Sequence, residues 1–419
     1  MTRSGIKAAG TLDQTFGDGG VVTLSTGSRS IVVLNDNKVM IAGGPRAGQL
    51  TLSRLTEKGE LDPSFGSGGV VTVPGMGGTG IIVTKMIALE NGGYLIAGSE
   101  AIFSSKKYIC RLLGNGQLDQ SFGTDGMVTI YASDISADDA AQDLKFVDGM
   151  DPQSNVEVNF FSGDSMAVSK QNAKIYLSAH IYPFDGVIEG VVFCLNEDGS
   201  KDTSFNGGYV LIPIDFSSGI KLNSLSVQGD GVLVGGGFVH VTGVREVAFL
   251  KRYDQRGGLD TSFGDRGTVI IPIGADGRTS IINSVVTRDD GLIVASGDSG
   301  KVGENEGFLT VLNANGGFNL IFNNGRPLYA AFLRDLVFNS SVWQQNTKII
   351  VTGTGGGYVA AARYELDGSL DLTFGGKGWA LFDGIQGKAP NETSHLTSDN
   401  KVVVHLGSGW ESNAVRYLA

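Results

Sequence analysis

The sequence holds only two cysteines in 419 residues, Cys110 and Cys194. That excludes a disulfide framework, and the simplest reading is two buried free thiols. Proline is sparse at nine and histidine stands at four, and no Ser–His–Asp order can be defended around any of the four. No run approaches the ~18 apolar residues that span a bilayer. The first eight residues, Met1 to Ala8, lack the apolar stretch of a secretory signal. Basic residues are outnumbered, 32 Lys and Arg against 43 Asp and Glu, for a net charge of −11. This balance argues against nucleic acid or an anionic membrane as the main partner. No glycine run matches a phosphate-binding loop.

Glycine, in contrast, is abundant at 64 residues, and 41% of the chain is hydrophobic. A disordered glycine-rich chain would lack that apolar content, so the glycines punctuate turns in a folded all-β chain. One phrase recurs, Gly-x-Leu-Asp-x-Ser/Thr-Phe-Gly-x-x-Gly. It reads GTLDQTFGDGG from Gly10, GELDPSFGSGG from Gly59 and GQLDQSFGTDG from Gly116. It continues as GSKDTSFNGG from Gly199, GGLDTSFGDRG from Gly257, the decayed GGFNLIFNNG from Gly316, and GSLDLTFGGKG from Gly368. The phrase Phe falls at 16, 65, 122, 205, 263, 322 and 374. Successive gaps are 49, 57, 83, 58, 59 and 52, so the third carries an insertion. Joining the chain ends gives a last gap of 61, and the array then lacks no unit.

A second marker lies 11 residues before six of these Phe residues, at Arg54, Arg111, Cys194, Arg252, Val311 and Arg363. Arg416 carries the same marker near the end of the chain, with no phrase after it. The first phrase has no marker before it. One repeat is therefore split between the two ends of the chain.

Each repeat holds four short apolar, β-branched runs, A to D, bounded by Gly, Asn and Asp. In the second repeat they are expected at Lys85–Leu89, Tyr94–Gly98, Lys107–Leu112 and Met127–Ile130. Tight-turn pairs join A to B, as at Asn91-Gly92 and Asp290-Gly291. Seven four-stranded units on a circular repeat predict an all-β, seven-bladed β-propeller. The seventh blade takes A, B and C from Thr393–Ala419 and D from Val21–Leu24. The expected organisation is a tail over 1–8 and one propeller over 9–419, with 131–163 inserted in the third blade. The phrase Asp is expected to cap its own turn, and the phrase Phe to pack between blades.

The phrase, the A–B turn and the strand-C Arg resemble the delta-60 repeat, a bacterial repeat of unknown function classed as a propeller. The resemblance covers Gly10 to Ala419 and implies the fold, but no catalytic residues. The third blade departs from it with Cys194. The fifth departs with Val311, Asn319 and Ile321, and these losses suggest weakened or repurposed blades.

The phrase sits on the face that carries A–B and C–D links, so functional variation is expected on the opposite face. There the D–A segment Tyr131–Gly163 contains Asp134, Asp138, Asp139, Asp143, Asp148, Asp151 and Glu157, with Val156–Phe161 strand-like. The B–C loop of the same blade offers His180, Tyr182, Phe184, Asp185 and Glu189, and Trp410 lies in another B–C loop. Together these form the expected ligand surface; a solvated elaboration is the plain alternative. His395 and His405 are near-diagonal neighbours on A and B of blade seven, without an evident third metal ligand.

The expected function is a non-enzymatic binding or scaffold propeller that recognises a protein or glycan around blade three. One alternative is a metal-assisted hydrolase or lyase at the central channel, although inward candidates such as Asn223, Asn283 and Asp335 are scattered in sequence. A lectin with one sugar pocket per blade is a further alternative, disfavoured because the B–C loops differ. No cofactor is expected, calcium being the one ion to consider. The chain is expected to be a monomer in the cytoplasm, with leaderless export left open.

Overall fold

The computed structural model describes residues 8–25, 27–43, 49–73, 81–100, 103–135, 144–147, 165–182, 188–213, 217–240, 246–272, 278–300, 304–382, 390–408 and 411–419. Seven antiparallel sheets form a ring. Blade one is Ser28–Val33, Val39–Gly43, Leu50–Leu55 and Val70–Val73. Blade two is Ile82–Ala88, Tyr94–Ser99, Lys106–Leu112 and Met127–Tyr131, within three residues of the expected bounds. Blade three has Met166–Val168, Ile175–Tyr182, Glu189–Leu195 and Tyr209–Ile212. Blade four has Ser217–Gln228, Gly231–His240, Glu246–Tyr253 and Thr268–Ile270. Blade five has Thr279–Thr287, Ile293–Gly300, Glu306–Leu312 and Leu328–Ala330; blade six has Val337–Gln344, Lys348–Gly355, Tyr358–Glu365 and Trp379–Phe382. Blade seven joins Pro390–Leu396, Val402–Ser408 and Glu411–Tyr417 to Val21–Thr23 from the other end of the chain.

The A strands touch one another round the ring and so line the axis. Ring closure is by strand pairing, Val21 opposite Val415 and Thr23 opposite Asn413. Gly10 N–H donates to Leu418 O at 2.6 Å and Asp13 N–H to Arg416 O at 2.8 Å. No open edge is left where the ends meet.

The phrase does more than turn the chain. In six copies the Asp Oδ1 accepts the amide of the Ser or Thr two residues on, as Ser64 N–H does at 3.0 Å. The other oxygen takes the strand-C Arg eight residues earlier, Arg54 Nε to Asp62 Oδ2 at 2.8 Å. Arg111–Asp119, Arg252–Asp260 and Arg363–Asp371 repeat that 2.8 Å bond. Arg416 makes it to Asp13 at 2.9 Å across the chain ends. Each guanidinium also lies 4.4–5.1 Å from the ring centre of its phrase Phe, a cation–π contact.

The buried Phe contacts the next blade. Gly59 shows how closely: its φ is +84°, and an added Cβ would come 3.2 Å from the Phe16 ring and 2.9 Å from Gly17 N. Glycine alone suits that backbone and that space. The Gly17 amide donates across the seam to Lys58 O at 2.8 Å.

The two irregular blades keep their charge balance by different means. In blade three, Lys174 replaces the missing Arg, 2.8 Å from Asp202, while Cys194 Sγ lies 3.6 Å from the same oxygen. Burial and the Asp202 charge push the Cys194 thiol up to about 12, so it stays protonated. In blade five both charges are gone together, Val311 for Arg and Asn319 for Asp. The Asn319 Oδ1 still accepts the Ile321 amide at 3.0 Å. Removing both partners of a buried pair costs far less than removing one. Both blades thus keep the turn satisfied with other partners.

An inner ring of bonds joins the blades near the axis. Ser30, Ser165, Ser224, Ser284 and Ser340 each accept an A-strand amide of the next blade at 2.9–3.1 Å.

The Asp13–Arg416 pair, with side chains 2% and 3% exposed, gives a direct test. Arg416→Ala is expected to cost about 2–3 kcal/mol, because the buried Asp13 carboxylate loses its guanidinium and keeps only Lys401, at 3.1 Å, as a cation. The double change Arg416→Val with Asp13→Asn copies blade five and is expected to recover more than half of that loss. Denaturant unfolding of the three chains measures both.

Candidate functional site

Because each blade is an antiparallel meander, B–C and D–A links share one face, opposite the phrases. On that face blade three is widened. Lys145–Val147 from the D–A segment pairs with the end of strand B, Lys145 opposite Tyr182 and Phe146 opposite Ile181. Phe103–Ser104, from the B–C loop of blade two, pairs in turn with this added strand, Phe146 opposite Ser104. The sheet of blade three therefore runs beyond four strands into its neighbour's loop.

This extension presents aromatic rings. Phe103 and Tyr182 are 39% and 40% exposed and meet edge to face, with ring centres 6.4 Å apart. Tyr131 is also exposed, and Lys106 Nζ lies 5.7 Å from its ring centre. Beneath the platform, Phe146 is fully buried, with the Lys107 ammonium 5.4 Å from its ring centre. Tyr108 donates to Glu100 beside it. Burial, with the Glu100 bond and charge, holds the Tyr108 hydroxyl well above the ordinary tyrosine range.

Of the expected ligand residues, Tyr182 lies on the platform and Glu189 is exposed on the neighbouring strand, opposite Ile181. His180 belongs elsewhere. It is 2% exposed, and its Nε2 accepts the Leu222 amide of blade four at 2.7 Å. It ties two blades together and presents nothing to solvent, because strand B is buried on both faces as far as Ile181 and only Tyr182, at its end, emerges. Asp138, Asp139, Asp143, Phe184, Asp185 and Trp410 lie outside the described residues, as does Val156–Phe161. Phe103 was not singled out by the sequence. Its only signal is an aromatic residue in a B–C loop, and its role comes from pairing with a distant segment.

A second polar cluster stands at the channel. Strand A of blades four, five and six carries a β-bulge at Asn223, Asn283 and Asn339, near the B–C end. Asn223 Nδ2 donates to Asn283 Oδ1 at 3.1 Å and to Ile282 O at 2.9 Å. Asn283 Nδ2 donates to Asp298 Oδ1 at 2.9 Å and to Phe338 O at 3.1 Å. Burial raises the Asp298 carboxyl to about 6, against the pull of the Asn283 bond. Asn223 and Asn283, dispersed in sequence, are thus neighbours in space. Asp335 lies near enough to contribute to the Asp298 potential and accepts the Asn305 amide at 3.2 Å. The legible signal was an Asn-Ser pair at 223, 283 and 339.

At the seam of blades seven and one, His395 pairs opposite Val403, two residues from His405 along strand B. Both His405 nitrogens and His395 Nε2 are buried without a hydrogen-bond partner. Burial depresses both imidazoles to about 4, helped by the Lys85 charge at His395 and by His395 at His405. Among the described residues, no group of three or more His, Cys, Asp or Glu is arranged to hold a metal. No described helix is long and apolar enough to cross a membrane.

Residues 174–205 and 344–374 match the model of a β-propeller domain of unknown function, DUF5122. These segments include strand B, strand C and the phrase of blades three and six, and they support a β-propeller repeat family. No curated protein matches. Among solved structures the chain is similar to the Dos1 propeller, at 11% identity and TM-score 0.46, over 94% of this chain and 78% of that one. It is similar to polysaccharide lyase Uly1 at 10% identity and TM-score 0.49, over 100% and 94%. It is also similar to a PL25 ulvan lyase at 9% identity and TM-score 0.48, over 95% and 96%.

The two histidines set an acid limit on the ring. Their folded pKa values of about 4 lie below the ordinary ~6.5, so the fold favours the neutral rings. Stability is full above pH ~6.5 and is lost as the pH falls toward 4, by up to roughly 3 kcal/mol per histidine. His405→Leu is expected to flatten the pH dependence of the thermal midpoint between pH 6.5 and 4.

Proposed function

We propose that this chain is a non-enzymatic binding or scaffold propeller that recognises a protein or glycan through the loop face around its third blade. The observation that supports it is the exposed Phe103–Tyr182 pair on a platform built by strand addition. Aromatic side chains provide large contact area with few rotatable bonds, and they dominate binding energy at interfaces. Here backbone pairing to blade three fixes the strands that carry both rings, so little ordering entropy remains to be lost on binding. A surface that projects from one blade also favours a single ligand over seven repeated pockets. We further propose that the repeat is of the delta-60 type, on the strength of the GxLDxSFGxxG phrase and its paired Arg.

The ligand is sought by glycan array and by affinity capture with the intact chain. Phe103→Ala and Tyr182→Ala are each expected to weaken binding of that ligand about tenfold or more, with the thermal midpoint unchanged. Tyr358→Ala, which removes an exposed ring on blade six, is the control and leaves binding intact. A ligand indifferent to both platform substitutions overturns the reading.

A further inference from the structure

The charges around the aromatic platform narrow its ligand, an inference that rests on reading that platform as a binding surface. Residues directly opposite one another on paired strands share a face of the sheet. Lys145 stands opposite Tyr182 and Val147 opposite Phe103, so exposed Lys145 shares the face of the two rings. Lys106 stands opposite Tyr131, its ammonium 5.7 Å from that ring centre. The platform thus holds the same device twice, an exposed tyrosine with a lysine across from it. Phe103 joins the two. It lies three residues from Lys106, at most ~11 Å along the chain, and its ring centre is 6.4 Å from that of Tyr182.

Several other lysines work for the fold. Lys38, Lys174, Lys348 and Lys401 each hold a phrase Asp, and Lys221 holds Glu246. Lys106 and Lys145 make no ion pair among the described residues. The described acids nearby are engaged or turned away. Glu100 accepts the Tyr108 hydroxyl, and one oxygen of Asp134 accepts the Tyr131 amide at 3.1 Å. Glu189 lies opposite Ile181, on the other face from Tyr182. In a chain of net charge −11, two unclaimed ammonium groups beside exposed rings are a local exception. An aromatic ring offers apolar area to the C–H face of a sugar, and an ammonium offers three donors and a full charge to an anion. A peptide added as a strand is less well served, because Lys145–Val147 already has a partner on each side. We propose that the platform binds an acidic glycan, a sugar chain bearing carboxylate or sulfate groups, with Phe103 and Tyr182 packed on its sugars and Lys106 and Lys145 on its anions.

The test is calorimetric titration of the full chain with alginate, dextran sulfate, neutral dextran, poly-glutamate and poly-lysine. Alginate and dextran sulfate separate carboxylate from sulfate, and poly-lysine probes the acids of the insertion that lie outside the described residues. At least one acidic glycan is expected to bind about tenfold or more tighter than dextran and poly-glutamate do. The double change Lys106→Gln with Lys145→Gln is expected to remove that advantage. Lys145→Glu, at an exposed position, decides the matter if the double variant folds poorly, and is expected to weaken binding about tenfold or more. Lys170→Gln, 80% exposed on the opposite face, is the control and leaves binding intact. If the lysine changes leave the preference unmoved while Phe103→Ala still weakens binding, this inference falls and the platform reading stands. If Phe103→Ala also has no effect, both fall. Failure of both acidic glycans to bind, or equal or tighter binding of dextran, poly-glutamate or poly-lysine, overturns the acidic-glycan class.

Discussion

The strand-C arginine is the interaction on which the rest of this structure depends. It lies over the phrase Phe and bonds the phrase Asp. Those two contacts fix the C–D link, which in turn delivers the outer strand to its place. Buried charge is costly unless fully paired and hydrogen-bonded. Here the carboxylate meets the condition, with the Ser/Thr amide and hydroxyl on one oxygen and the guanidinium on the other. At Asp13, burial works against ionisation, yet the Thr15 bonds and the Lys401 and Arg416 charges hold the carboxyl well below the usual range. The same set of bonds that finishes an ordinary blade therefore closes the ring.

Two concentric layers of bonds hold the blades to one another. The outer layer is backbone between consecutive phrases, such as Gly264 N–H to Asn315 O and Gly375 N–H to Ala9 O, both 2.7 Å. The inner layer is the serine-to-amide set beside the bulges. B–C links take a smaller part, as where Ile220 N–H of blade four donates to Ile188 O at 3.2 Å, and of the D–A links Ser165 joins the inner layer. Those links can change length and chemistry at small cost to the ring. That freedom explains why the widened sheet of blade three and the channel amides both stand toward the same face.

The phrase made the blade count, the split repeat and the strand order legible in the sequence, because each depends on spacing alone. The Arg-to-Asp pairing was half legible: both markers stood out, eight residues apart, but their contact needed the turn to be drawn. Phe103 could not be read. It gains its role by pairing with Phe146 and its neighbours across two blades, a tertiary choice that local pattern does not encode. The channel amides were partly legible. Asn223 and Asn283 stood out as inward candidates, but a β-bulge breaks the two-residue alternation that assigns side chains to faces, so their contact across two blades did not follow from the pattern. His180 failed in the opposite direction: its loop-end position suggested exposure, whereas strand B continues buried past it, against blade four.

A sevenfold fold invites sevenfold function, but the decoration here is not sevenfold. The bulge position holds Arg29 in blade one, Thr84 in blade two and asparagine in blades four, five and six. Side-chain amides therefore gather on one arc of the channel. The widened sheet likewise belongs to one blade and borrows from one neighbour. Structural residues repeat because every seam poses the same packing problem, whereas ligand contacts need to occur once. The positions where this chain departs from its own repeat, with the seams still satisfied, are thus the positions from which its function should be argued.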